Sequence, residues 1–161
     1  MLIENIRIPV RFPVKFVHCT IIFDEPLTLI DPGVKCEETF KILENALSKH
    51  KKSLKDVKRI LLTHGHVDHY GIAQEIKNIS NADIFLHPFD FDKVTGLRNY
   101  LSYYKEKMIY YGTPLSQLAH IENFLKYVSQ FITKIEKPIP VPDRVLFKNG
   151  ELKVIHTPGH T

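Results

Sequence analysis

Apolar residues recur along this chain with two different periods, and the switch between them marks its elements. Over the first thirty residues they fall in three short runs, Ile3 to Val10, Lys15 to Phe23 and Pro26 to Ile30, parted by proline or acidic turn residues. That pattern predicts a meander of antiparallel strands. From Glu37 to His50 the spacing becomes helical, with Phe40, Leu43, Ala46 and Leu47 on one face that should pack on a sheet. Ser53 and Asp56 form a capping pair that opens a one-turn helix. Val57 to Leu62 then ends in Ile60-Leu61-Leu62, the kind of apolar run a buried strand needs. A helix over Ile72 to Ile79 and a strand over Asp83 to Leu86 complete a β-α-β alternation, so the expected class is α/β.

The stretch from Phe89 to Phe131 differs, with long helical patterns and little strand character. Leu97, Tyr100, Leu101, Tyr104, Met108 and Tyr111 share one face of a first helix that Gly112 can end, and Thr113-Pro114 restart the chain as cap and first helical residue. Leu118, Ile121, Leu125, Val128, Ile132 and Ile135 make the stripe of a second. A helical hairpin over 89–131 is the expectation. Beyond the proline-rich stretch 137–142, Arg144 to Phe147 and Leu152 to Ile155 flank Asn149-Gly150, a favoured pair for a tight β-turn.

At 161 residues, 43% hydrophobic and 25% charged, the chain is long enough for one core and short for two, which predicts one unit over 1–161. No run of about 18 apolar residues occurs, and Met1 to Val10 lacks the charged-then-apolar order of a signal peptide, so neither membrane nor export is expected. Cys19 and Cys36 form no CxxC pair or dense framework, which makes a reduced cytoplasm the default compartment. The net charge of +4 comes from scattered lysines and argues against nucleic acid as a partner.

Chemistry concentrates in the string from Thr63 to Gly71, where His64, His66, Asp68 and His69 lie within six residues. Neutral imidazole and carboxylate are the ligands that zinc and similar divalent ions accept in open catalytic sites. A loop this short cannot aim four side chains at one point. Two neighbouring ions solve the geometry, one on His64 and His66, the other on Asp68 and His69. A polar surface loop is the bland alternative, and the density of donors argues against it.

This string, directly after an apolar strand, resembles the defining motif of the metallo-β-lactamase superfamily. Leu29-Ile30-Asp31-Pro32-Gly33 resembles the family's first motif, and the stretch from His156 to Thr161, with Pro158-Gly159-His160 inside it, resembles its third. The resemblance implies a four-layer αβ/βα sandwich with the helical hairpin inserted. It implies His160 as a further ligand of the first ion, Asp31 as an outer support of the metal loop, and His156 as a structural, hydrogen-bonding group. Asp31 also reads as a simple turn aspartate before Pro-Gly. The family pattern continues past its third motif to a bridging aspartate and a later histidine, whereas this sequence stops at Thr161. The expectation is therefore the N-terminal part of a longer domain, completed by a C-terminal segment or covered by a homodimer.

By resemblance the activity is metal-dependent hydrolysis, in which a metal-bound hydroxide attacks an acyl centre (thioester, ester or lactone-like) of a small molecule, as in the glyoxalase-II-like branch. Asp68 is the expected catalytic as well as ligating carboxylate. The cofactor is one or two zinc ions, with iron or manganese also suited to the donors. Two other readings stay open: an RNA phosphodiesterase of the same superfamily, and a noncatalytic metal-binding remnant serving as an interaction module. Tyr103 and Tyr110, seven residues apart and off the main stripe, either face a substrate pocket or pack structurally. His87 reads as a packed or solvent-bound ring at a strand end, while His18, His50 and His120 sit in ordinary strand or helix contexts.

Overall fold

A computed structural model describes residues 1–11, 14–96 and 100–160. Six strands form one sheet in chain order: β1 (Leu2–Pro9), β2 (Phe16–Phe23), β3 (Thr28–Ile30), β4 (Arg59–Leu61), β5 (Asp83–Leu86) and β6 (Ile139–Pro140). The expected meander is present as antiparallel β1, β2 and β3, and from β3 to β6 the neighbours are parallel. Helix α1 (Glu37–Ser48) links β3 to β4, and α2 (Val67–Tyr70) with α3 (Ala73–Ser80) links β4 to β5. These are the crossovers that parallel neighbours require.

Alternation along the strands divides their side chains between two apolar layers. Val17, Cys19, Ile21, Leu29, Ile60, Ile84 and Leu86 join Leu43, Ala46 and Leu47 of α1 and Ala73 and Ile76 of α3 in the main core. Burying each such isoleucine or leucine contributes about 1.5–3 kcal/mol before chain entropy is counted. Ile22, Ile30, Leu61 and Phe85 point the other way and meet Val145, Phe147 and Leu152. Those partners belong to a second sheet, the hairpin of β7 (Arg144–Phe147) and β8 (Gly150–Lys153). Helix layer, large sheet and hairpin are thus stacked in the order that one half of an αβ/βα sandwich and the start of its second sheet require.

Two expected boundaries move. Phe147 pairs with Gly150, so the turn is Lys148-Asn149, one residue earlier than expected. Neither residue has a positive φ. The turn is held from outside instead: Asn149 Nδ2 donates to Asp24 Oδ1 at 2.9 Å, and the Lys148 N–H donates to the Glu25 carbonyl at 2.9 Å. The helical hairpin exists as α5 (Tyr100–Tyr110) and α6 (Leu115–Ser129), preceded by the short α4 (Phe91–Thr95). Ile132 and Ile135 do not extend α6. The chain there is neither helix nor strand, with the Thr133 N–H on the Gly71 carbonyl and the Ile135 N–H on the Val94 carbonyl, and those tertiary bonds outweigh continued helical spacing. Tyr111, expected to pack, is 77% exposed. Leu97 and the side chains of Tyr100, Leu101 and Tyr104, on which the rest of that stripe depends, lie outside the described residues. Among the described residues no helix is long and apolar enough to cross a membrane.

Candidate metal centre

The site lies at the carboxyl ends of parallel β3, β4 and β5, where an open α/β sheet leaves room for a ligand. Asp31 directly follows β3, and its φ of 51° puts it in the left-handed region that aspartate tolerates better than most residues. The Asp31 N–H donates to the Leu61 carbonyl, so the two loops leave the sheet side by side. They are laced together again at Gly33, which donates to the His69 carbonyl at 3.1 Å and accepts from the Ile72 N–H at 3.0 Å. With φ at 98° and Ile8 Cγ2 only 2.8 Å from the place of a Cβ, position 33 has room for glycine alone. Gly71 is closed in further, since a Cβ there would lie 2.3 Å from the Phe131 carbonyl oxygen and 2.7 Å from that of Val67.

This scaffold brings the histidines together. His64 Nε2 and His66 Nδ1 are 3.0 Å apart, and the His160 ring stands 4.9 Å from that of His64 and 4.7 Å from that of His66. One nitrogen from each of the three lies within 4.8 Å of the others. Asp31 lies beside this group with its carboxylate already engaged: Oδ1 accepts the Thr63 N–H at 2.8 Å, while Oδ2 accepts the Thr63 hydroxyl and is 2.8 Å from His69 Nδ1. A proton on His69 Nδ1 therefore leaves Nε2 as the free donor atom, the arrangement by which a carboxylate orients a metal-binding histidine. His69 Nε2 is 3.8 Å from Asp68 Oδ2. That is too long for a hydrogen bond, and within the ~4.2 Å limit for two atoms each ~2.1 Å from a common ion.

The donor set fits a zinc-like ion. Burial, then repulsion from His69 and His66, pushes His64 down to about 4, and burial followed by the His160 charge lowers His66. Both rings are held neutral, the form that ligates. Burial would lower His69 too, but the hydrogen bond and charge of Asp31, and then the charge of Asp68, raise it overall.

A cavity of about 480 Å³ opens beside the cluster, lined on one side by His64, His160 and Thr63 and on the other by apolar groups such as Ile30, Val141 and Leu152. His156 keeps out of the three-histidine group. Its exposed ring stacks on His87, with centroids 4.0 Å apart and planes 11° from parallel, so its contact is a ring face where a hydrogen bond was expected. His87, expected as a packed or solvated ring, lines the same cavity, its Nδ1 accepting the Phe89 N–H at 3.3 Å. Tyr103 and Tyr110 do not line it: Tyr110 is 79% exposed, and both rings lie near Lys107 Nζ on α5. A seven-residue spacing fixes a shared helix side but not the neighbour of that side. Sequence reasoning passed over Asp90, a buried carboxylate on the cavity wall whose Oδ2 accepts the Gly65 N–H at 3.0 Å. Its signal was faint, an aspartate in a Pro-Phe-Asp turn directly after β5.

Residues 13–161 match the metallo-beta-lactamase superfamily. An uncharacterized protein of Aquifex aeolicus is 28% identical over 157 residues, a match covering 90% of this chain and 56% of that protein. The hydroxyacylglutathione hydrolase GloC of Haemophilus influenzae is 25% identical over 158 residues, covering 89% of this chain and 57% of its own. In structure, the metallo-beta-lactamase family protein TTHA1429 of Thermus thermophilus superimposes with a TM-score of 0.84 at 24% identity, over 98% of this chain and 52% of that one. The last likeness shows a shared fold. The chain spans about half the length of the relatives it matches. With the family matched over nearly its whole length and the histidine string folded into one cluster, this chain belongs to the metallo-beta-lactamase superfamily.

Proposed function

We propose that this chain carries the metal-binding half of a hydrolase that cleaves small acyl substrates, thioesters first among them, with zinc or a similar divalent ion. One observation carries the metal half of this reading: ring nitrogens of His64, His66 and His160 meet within 4.8 Å, beside a His69 whose Nδ1 is tied to Asp31. In this reading His64, His66 and His160 hold one ion, and Asp68 with His69 holds a second. Bound there, such ions supply Lewis acidity, polarising a carbonyl and bringing water toward deprotonation near neutral pH.

The chain's own residues do the rest. Asp31 holds the proton on His69 Nδ1 and so keeps Nε2 available. Asp68, 3.8 Å from that nitrogen and partly exposed, offers a carboxylate that binds and can take up a proton at Oδ2. The apolar wall of Ile30, Val141 and Leu152 keeps water off the acyl side of a substrate lying against the histidines. The acyl assignment draws support from the likeness to GloC, whose substrate class, a hydroxyacylglutathione, is an acyl group on a thiol.

The test is turnover of an S-acylglutathione and of a bis-aryl phosphodiester by the zinc-loaded chain, beside His66→Ala and Asp68→Asn variants. Thioester hydrolysis that a chelator abolishes and either substitution cuts by at least ~100-fold is expected. Turnover of the phosphodiester alone would overturn the acyl reading.

A further inference from the structure

We infer that Asp90 is a positioning residue for the metal loop, setting the angle between His64 and His66 through the backbone of the glycine that separates them. The inference rests on the metal-binding half of the reading above, and three observations carry it. Asp90 is 5% exposed, and its Oδ2 accepts the Gly65 N–H, the peptide group that links the two histidines. Asp90 closes the 3-10 turn Pro88–Asp90 that runs directly into α4, and its side chain makes no cap bond to that helix. Its carboxylate joins the loop to the helix: Oδ2 accepts from Gly65, and Oδ1 lies 2.6 Å from Lys93 Nζ on α4.

The third observation is contact. A Cβ on Gly65 would lie 3.2 Å from Asp90 Cβ, 3.3 Å from Asp90 Cγ and 3.3 Å from Lys93 Cβ. The first turn of α4 thus rests on the loop backbone as a wall, with the hydrogen bond fixing the register between them. His64 Nε2 and His66 Nδ1 face each other at 3.0 Å only while the Gly65 peptide keeps its orientation, because a rotation there swings the two side chains apart. Lys93 Nζ lies against the carboxylate's other oxygen, which leaves Oδ2 directed at the Gly65 N–H. Asp31 supports His69 directly; Asp90 supports His64 and His66 from behind, through the main chain.

Zinc competition against a chromophoric chelator, and the visible absorption of the cobalt-loaded chain, test this without any turnover assay. The proteins are the full chain, Asp90→Ala, Asp90→Glu, Asp90→Asn and, as reference, His64→Ala. Asp90→Ala should weaken zinc binding by ~10–100-fold, the usual effect of losing a group that supports ligands, and alter the cobalt band shape. Asp90→Asn keeps the acceptor for Gly65 but turns an NH₂ toward the Lys93 ammonium, so its affinity should fall less than that of Asp90→Ala. Should Asp90→Ala fail to fold, Asp90→Glu decides: charge is kept, but the extra methylene must displace a backbone already in contact, so affinity falls. Unchanged affinity and band shape in the folded Ala or Glu variant overturns the inference. A parent chain that binds zinc no better than His64→Ala would instead overturn the metal reading beneath it.

Discussion

Asp31→Asn should destabilise the chain and should do so through His69. Asparagine tolerates the left-handed backbone at this position, so the φ of 51° adds no penalty of its own. It keeps one oxygen, enough for the Thr63 N–H now 2.8 Å from Oδ1. The other oxygen becomes an amide NH₂ facing His69 Nδ1 at 2.8 Å, donor against donor. That oxygen accepts from both His69 Nδ1 and the Thr63 hydroxyl, so two hydrogen bonds to a charged acceptor are lost where Asp31 is 5% exposed, a cost of at least about 1.5–3 kcal/mol. The imidazole escapes the clash by moving its proton to Nε2, which turns the nitrogen facing Asp68 from a lone-pair donor into an N–H. Equilibrium urea unfolding in the presence of a chelator measures the stability loss, and nitrogen-detected NMR of labelled histidine reads the tautomer. The pH dependence follows from the raised His69 pKa. A raised folded-state value stabilises fully below the unfolded value of ~6.5 and ceases to do so as pH climbs through the folded value, so the deficit of the variant should widen toward acid. A deficit under about 0.5 kcal/mol with Nδ1 still protonated would refute the reasoning.

Gly71→Ala should cost at least about 2 kcal/mol, because its Cβ meets the Phe131 and Val67 carbonyl oxygens; a thermal midpoint within a degree or two of the parent would count against the packing described. Glu75 is held low by its hydrogen bond to Lys35, and then by that from Thr133, with Nζ 2.9 Å and Oγ1 2.8 Å from Oε1. Its contribution is present above the unfolded ~4.3 and fades as pH falls through the folded value, so Glu75→Gln should cost up to about 1 kcal/mol at pH 7 and converge with the parent in acid, checked by urea titrations at both pH values. Tyr110→Ala should leave stability within about 0.5 kcal/mol and the substrate profile unchanged, since the ring lies outside the cavity lining; a shifted profile would restore the hairpin as a specificity element.

The α/β class was legible because the periodicity of each run is local: Ile60-Leu61-Leu62 reads as a buried strand wherever it is met, and Leu43 with Leu47 reads as one helix face. The histidine string was legible because four donors in six residues have few other uses. What sequence missed depends on distant partners. The shift of the β-hairpin turn to Lys148-Asn149 is set by Asp24 and Glu25, more than a hundred residues earlier. Ile132 and Ile135 continue a helical spacing that the carbonyls of Gly71 and Val94 interrupt. Asp90 shows nothing distinctive until Gly65 is seen against it, and the stacking of His156 on His87 needs the turn after β5 to be in place.

Anomalous diffraction from crystals of the zinc-loaded chain, collected on both sides of the zinc absorption edge, shows whether the three histidines hold an ion. A peak is expected about 2.1 Å from His64 Nε2, His66 Nδ1 and a ring nitrogen of His160, with any second peak between Asp68 and His69 Nε2. Zinc found only at other surface groups, with the three histidine rings turned away from one another, would contradict the metal assignment.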